Sequence, residues 1–140
     1  MMEIKTATTA EEASTAWEAI HLLRPHLKRD EYGKLMQDMF DSGYQLAYIE
    51  EDNKAVSVIG YRHLQFLFNG KHIYIDDLST LEAYRGKGYA GELLDHIIQE
   101  AKEKGYEVVT LDSGCQRHDA HRLYFNKGFV IQGYHFSKKL

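Results

Sequence analysis

The chain has 140 residues, 44% of them hydrophobic and 27% charged, a balance that predicts one globular domain over residues 1–140 and excludes a low-complexity or disordered protein. Its formal net charge of −4 excludes the Lys and Arg surplus that nucleic-acid binding requires, so a polyanionic ligand has to be drawn by local charge. Cys115 is the single cysteine, which excludes an internal disulfide and a multi-cysteine zinc site and fits a cytoplasmic setting; with no long apolar run, neither a signal peptide nor a membrane span is predicted.

In chain order, Glu3–Thr8 alternates as a first strand, and Thr9-Ala10-Glu11-Glu12 reads as a helix start, a cap followed by acids in the first turn. Ala13, Ala16, Trp17, Ile20 and Leu23 make the apolar face of that helix, which Arg24-Pro25 ends. A second helix is predicted over Arg29–Phe40, with Tyr32, Leu35, Met36, Met39 and Phe40 inward and Ser42-Gly43 as its stop. Gln45–Glu50 and Ala55–Phe68 read as strands around the Glu51–Lys54 turn, and Asn69-Gly70 turns the chain into a further strand carrying Ile73, Ile75 and Leu78. Leu93, Leu94, Ile97, Ile98 and Ala101 then recur at helical spacing up to a Lys104-Gly105 cap. Val108–Leu111 follows as a buried strand, Asp119–Lys127 as a short helix, and Phe129–Phe136 as a final strand.

Between the strand ending at Thr80 and the helix carrying Leu93 lies Arg85-Gly86-Lys87-Gly88-Tyr89-Ala90-Gly91. Glycines at a helix N-terminus leave unpartnered backbone N–H groups open to a close approach, and the macrodipole with Arg85 and Lys87 adds positive charge, so the stretch reads as a phosphate cradle. A tight strand-to-helix turn that uses glycine for its backbone angles alone is the plainer alternative. Neither the Walker order nor Gly-x-Gly-x-x-Gly is present.

The run Arg85–Ala90 instead fits Arg/Gln-x-x-Gly-x-Gly/Ala and resembles the acyl-CoA pyrophosphate loop of the GNAT superfamily of N-acetyltransferases. Downstream, Ala120-His121-Arg122-Leu123-Tyr124-Phe125-Asn126-Lys127-Gly128-Phe129 resembles that family's Ala-x-x-x-Tyr-x-x-x-Gly-Phe signature. The resemblance implies an α/β (α+β) GNAT fold, a central mixed, mostly antiparallel twisted sheet of about six to seven strands flanked by about four helices. It implies acetyl-CoA as co-substrate, no metal, and direct attack by a primary amine, of a small molecule, in a ternary complex. A protein acetyltransferase acting on N-termini or lysines, and a non-catalytic acyl-CoA sensor, are the alternatives; the resemblance also admits a homodimer.

By the same resemblance, Leu78, Ser79 and Thr80 lie along the pantetheine arm, with backbone groups of Leu78 and Thr80 pairing its amides, and Arg85, Gly86, Lys87, Gly88, Tyr89, Ala90 and Gly91 hold the pyrophosphate. Tyr124 matches the tyrosine beside the sulfur and is the candidate acid for the departing thiolate. Two departures stand out. Glu82 replaces a proline common in relatives, and Arg117 occupies the place of an asparagine that contacts pantetheine.

An amine of pKa about 10.4 is only about 0.04% neutral at pH 7, so a carboxylate that binds the ammonium and relays its proton is needed. Asp76 and Asp77 are consecutive and, on a regular strand, point to opposite faces. Asp76 is favoured and Asp77 second, with strand-end charges lacking any chemistry as the alternative. His72 and His135 are secondary candidates for the acceptor pocket, His118-x-x-His121 is read as an exposed helix pair, and Cys115, with no Cys–His motif, as structural.

Overall fold

Strand β1, Lys5–Ala7, leads into one helical stretch made of α1, Ala10–Ala13, a 3-10 turn over Ser14–Ala16, and α2, Trp17–Leu23. Residues 2–140 are described by this computed structural model. Thr9 caps α1, its hydroxyl accepting from the Glu12 N–H at 3.1 Å, while the Glu12 carboxylate reaches back to the Thr8 N–H, one residue before the cap, at 3.1 Å, an arrangement close to the capping box. Where one continuous helix was predicted, Ser14 returns its hydroxyl to the Glu11 carbonyl at 2.7 Å, and such local bonding competes with the α ladder. Helix α3, Arg29–Asp41, is tied back by the Tyr32 hydroxyl, which donates to the Ala13 carbonyl at 2.8 Å.

Next comes an antiparallel meander of β2, Gln45–Glu51, β3, Lys54–Phe66, and β4, Gly70–Thr80. Asp52 and Asn53 both hold positive φ, 53° and 63°, the geometry of the two-residue turn whose twist suits a hairpin. After a 3-10 turn over Glu82–Tyr84, helix α4 spans Tyr89–Glu103 and strand β5 spans Val109–Leu111. The sheet order is β1-β2-β3-β4-β5, and the pairs β1–β2, β2–β3 and β3–β4 are antiparallel.

Alternate residues separate the two faces. Leu46, Tyr48 and Val58 pack into the cluster formed with Ala13, Ala16 and Ile20 of the helical stretch and Tyr32 and Met36 of α3. Ala47, Ile49 and Ile59 are equally buried, and α4 lays Leu93, Leu94, Ile97 and Ala101 inward while packing on β2, β3 and β4. A sheet covered on both faces explains why these strands read as near-continuous apolar runs.

By contacts the chain divides into two compact units, one ending at Thr110 and the other spanning Leu111–Leu140. The second contains helix α5, His118–Asn126. The strand predicted over Phe129–Phe136 does not form, and among the described residues the sheet has five strands, fewer than the six to seven expected. Val130, Ile131, Tyr134 and Phe136 are all exposed. β-propensity describes side chains that suit a pleated, half-buried surface, and without a paired neighbour it leaves the backbone irregular.

Candidate active site

The end of β4 is irregular in a way that matters for its two carboxylates. Asp77 pairs with Gly60 and Ile75 with Tyr61, and the register shifts between them, so Asp76 is an extra residue on β4, a bulge. The bulge breaks the alternation that would send the two side chains to opposite faces. Asp77 accepts from the Tyr44 hydroxyl through Oδ2 at 2.7 Å and from Arg24 Nε through Oδ1 at 3.0 Å. Asp76 is held by Arg62, whose Nε lies 3.1 Å from each carboxylate oxygen, and the Arg62 guanidinium lies 5.6 Å from the centre of the Tyr44 ring. Arg24 Nη2 also donates to the Asp76 carbonyl at 3.0 Å, stapling the bulge.

Burial pushes the Asp76 carboxyl up from the ordinary aspartate range, outweighing its contacts with Arg62. Burial also raises the Tyr44 hydroxyl well above 10, helped by Asp77 and then Asp76, so Tyr44 stays a proton donor to Asp77. Tyr44 reaches Asp77 by crossing Gly60, where a Cβ would lie 1.7 Å from its hydroxyl; a glycine inside a strand marks such a close approach. Of the two candidates, it is Asp77 that lines a groove of about 380 Å³ beside Arg24, His26 and Tyr44.

Beyond Thr80 the chain enters the glycine loop. The Thr80 and Ser57 hydroxyls share a hydrogen bond of 2.7 Å, the Leu81 N–H donates to the Val56 carbonyl at 2.8 Å, and Arg85 Nε donates to the Thr80 carbonyl at 3.1 Å. Gly86 and Gly88 hold φ of 80° and 82°, and a Cβ on either would meet nothing within 4 Å. Gly88 is the N-cap of α4, without a side-chain cap, so the first-turn amides of Tyr89, Ala90 and Gly91 lack the partner that a side chain supplies elsewhere. Lys87 lies 5.2 Å from the centre of the Tyr84 ring and 3.9 Å from Glu51, which also accepts from the Tyr89 hydroxyl at 2.5 Å. Positive φ, open space and uncapped amides together fit a diphosphate group.

In the second unit, Tyr124 is buried on α5 with its ring 5.9 Å from Phe129. Burial raises its phenol above 10, with Arg117, the N-cap of α5, pulling the other way. No hydrogen bond to that hydroxyl occurs among the described residues. His72 is fully buried at the start of β4, its Nδ1 2.8 Å from the Gly70 carbonyl, and His135 lies 3.7 Å from Asp112. Neither lines the groove. The His118 and His121 rings stand 6.3 Å apart, and Cys115 is exposed. Among the described residues, no helix is long and apolar enough to cross a membrane.

Arg24, His26, Tyr44 and Arg62 were not singled out from the sequence. Two signals bear on Tyr44 and Arg62 alone: Gly60 within an apolar strand, the mark of a close approach, and Arg62 itself two residues on, a charge where the run reads as buried. Arg24 read only as a helix stop, and nothing local connects it to a carboxylate 53 residues away.

The sequence profile of the Acetyltransferase (GNAT) family matches residues 9–129. Over 140 residues the chain is 33% identical to a Bacillus subtilis (strain 168) protein named Uncharacterized N-acetyltransferase YhdJ, covering 99% of both chains. It is 30% identical to the Aminoalkylphosphonate N-acetyltransferase of Salmonella typhimurium, covering 99% of this chain and 91% of that one. Among solved structures, the aminoglycoside N-acetyltransferase AAC(6')-Iy in complex with CoA superposes with a TM-score of 0.84 at 14% identity, covering 99% of this chain and 95% of that one. The chain belongs to the GNAT acetyltransferase family, and the reaction class that follows is acyl transfer to nitrogen.

Proposed function

We propose that residues 1–140 act as one domain that transfers the acetyl group of acetyl-CoA to the primary amine of a small molecule, by direct attack in a ternary complex. The observation that carries this reading is the run from β4 into α4, where a carboxylate lining a groove is followed nine residues on by the first of two bare, positive-φ glycines at an uncapped helix start. A solved relative in fold holding CoA, and a relative in sequence named for a small phosphonate amine, support the choice of co-substrate and acceptor.

Gly86, Gly88 and the amides of Tyr89, Ala90 and Gly91 would hold the diphosphate, with Arg85 and Lys87 supplying charge, and Leu78, Ser79 and Thr80 would flank the pantetheine arm, with Arg117 as a further contact. When bound, acetyl-CoA supplies an acyl carbon as a thioester, whose C–S bond is exchanged for a C–N bond to the amine. Asp77 binds the acceptor's ammonium and, through water, takes the proton that must leave before nitrogen can attack. Asp76, with both oxygens on Arg62, holds the bulge and stands second as proton acceptor. Tyr124 keeps a proton on its phenolic oxygen for the sulfur that leaves.

Gly88→Asp tests the cradle. An L-residue at φ near 80° is strained, and its carboxylate would face the diphosphate, so calorimetric affinity for CoA should fall by two orders of magnitude or more, on the order of 3 kcal/mol. Unchanged affinity in a folded Gly88→Asp protein would remove the loop from the co-substrate site.

A further inference from the structure

The groove beside β4 is lined by aliphatic side chains, Ile20 and Met36 among them, and its polar lining comes from Arg24, His26, Tyr44 and Asp77. Its two formal charges are already in contact. Arg24 Nη2 lies 2.9 Å from Asp77 Oδ1, and the second Asp77 oxygen takes the Tyr44 hydroxyl. The groove therefore carries no surplus negative charge, and an acceptor offering only an ammonium would leave the guanidinium without a counter-charge from the ligand. A ligand of both signs matches both groups.

Arg24 is equipped for the anionic half. Its planar fork has five N–H donors; Nε and Nη2 hold the strand end, and Nη1 carries two more. The Arg24 side chain is 43% exposed and that of Asp77 is 14% exposed, so the cation lies toward the mouth and the carboxylate deeper. His26 follows Pro25 on the same exposed loop and adds a ring N–H. The two N–H groups of Nη1 can each make a charge-assisted hydrogen bond to a carboxylate or phosphonate oxygen. Because the protein's two charges touch, the ligand's charges must be separated by only a few bonds.

Resting on the acetyltransferase reading above, we infer that the acceptor is a short zwitterionic amine, its ammonium on Asp77 and its acidic group, a carboxylate or phosphonate, on Arg24 and His26. Acetylation converts the ammonium to a neutral amide, so the product keeps the acid contact and loses the one to Asp77. That difference favours release after transfer.

The test compares aminoethylphosphonate and β-alanine with propylamine, an amine without an acid, by CoA thiol release for the wild type, Arg24→Gln and Arg24→Lys. In the wild type, kcat/KM for at least one of the two acids should exceed that for propylamine by about 10- to 100-fold, the scale of a charge-assisted pair. The difference between the acids shows which anion the fork prefers. Arg24→Gln should collapse the ratio, mainly through KM, and Arg24→Lys should restore part of it. Calorimetry of both acids against the CoA-saturated protein gives a second readout without turnover. Should Arg24→Gln fail to fold, Arg24→Lys and His26→Ala, the latter at an exposed position, carry the same comparison.

Turnover of propylamine equal to that of the acids, or an unchanged ratio in Arg24→Gln, overturns the zwitterion assignment and leaves the acetyltransferase reading standing. Thiol release with no amine at all counts against that reading instead. Calorimetry then decides the assignment alone, and an absence of binding heat for both acids, or equal affinity in Arg24→Gln, overturns it.

Discussion

The Tyr124 hydroxyl differs from that of a surface tyrosine in the direction its surroundings push it. Burial raises its pKa above 10 against the pull of Arg117, so the phenol keeps its proton throughout the neutral and mildly alkaline range and has it to give there. Tyr124→Phe removes that proton and little else. If the hydroxyl serves the departing sulfur, kcat should drop by about 10²–10⁴-fold with CoA affinity nearly unchanged. A wild-type kcat that does not decline between about pH 7 and pH 9 follows from the same shift. Measured single-turnover rates within about threefold of wild type in the Phe variant would strip Tyr124 of this task. At this scale the sequence names Tyr124 through its motif and ranks Asp76 ahead of Asp77. The period of two that separates the two carboxylates cannot foresee the bulge between them, and of the two it is Asp77 that lines the groove.

Among the elements, β3 and β4 with the residue before β2 form the support for the site, and Gly60 is where the Tyr44 ring crosses β3. A Cβ there would lie 1.7 Å from the Tyr44 hydroxyl and 2.3 Å from Cζ, which no small adjustment of a buried ring absorbs. Gly60→Ala should therefore cost roughly 1–3 kcal/mol as overpacking, read by chemical denaturation, and it should uncouple Tyr44 from Asp77. Combined with Tyr44→Ala, the loss should be clearly less than the sum of the single losses; strict additivity would mean that the two residues do not meet. Most elements were legible because their apolar residues keep a clean period: α3, α4 and the meander fall within a few residues of their predicted bounds. The segment 129–136 misled, since its side chains suit a sheet while no strand pairs with it among the described residues, and pairing is written in no local pattern.

For the molecule as a whole, the core is unusually phenolic, and that sets its response to base. Burial raises Tyr32 to about 12, burial and then Glu100 raise Tyr61 to about 12, and Tyr44 lies well above 10. A phenol whose pKa is higher folded than unfolded stabilises fully below the unfolded value and loses that contribution as pH rises toward the folded one. Unfolding free energy should thus decline between about pH 10 and pH 12, and Tyr61→Phe should flatten the decline by roughly 1–3 kcal/mol at the upper end. Parallel curves for the two proteins in urea titrations would count against it.

The order of strands in space repeats their order in the chain, and this has a kinetic meaning. Closing a loop costs entropy that grows with the logarithm of its length. The connections between β2 and β3 and between β3 and β4 span only residues 52–53 and 67–69, whereas β4 meets β5 across 81–108 and β1 meets β2 across 8–44. Loop entropy alone ranks the central hairpins first and the N-terminal edge last. The ladder that carries Gly60, Asp76 and Asp77 is therefore among the first the chain can close, and the groove's helical wall is added to a strand end already in register.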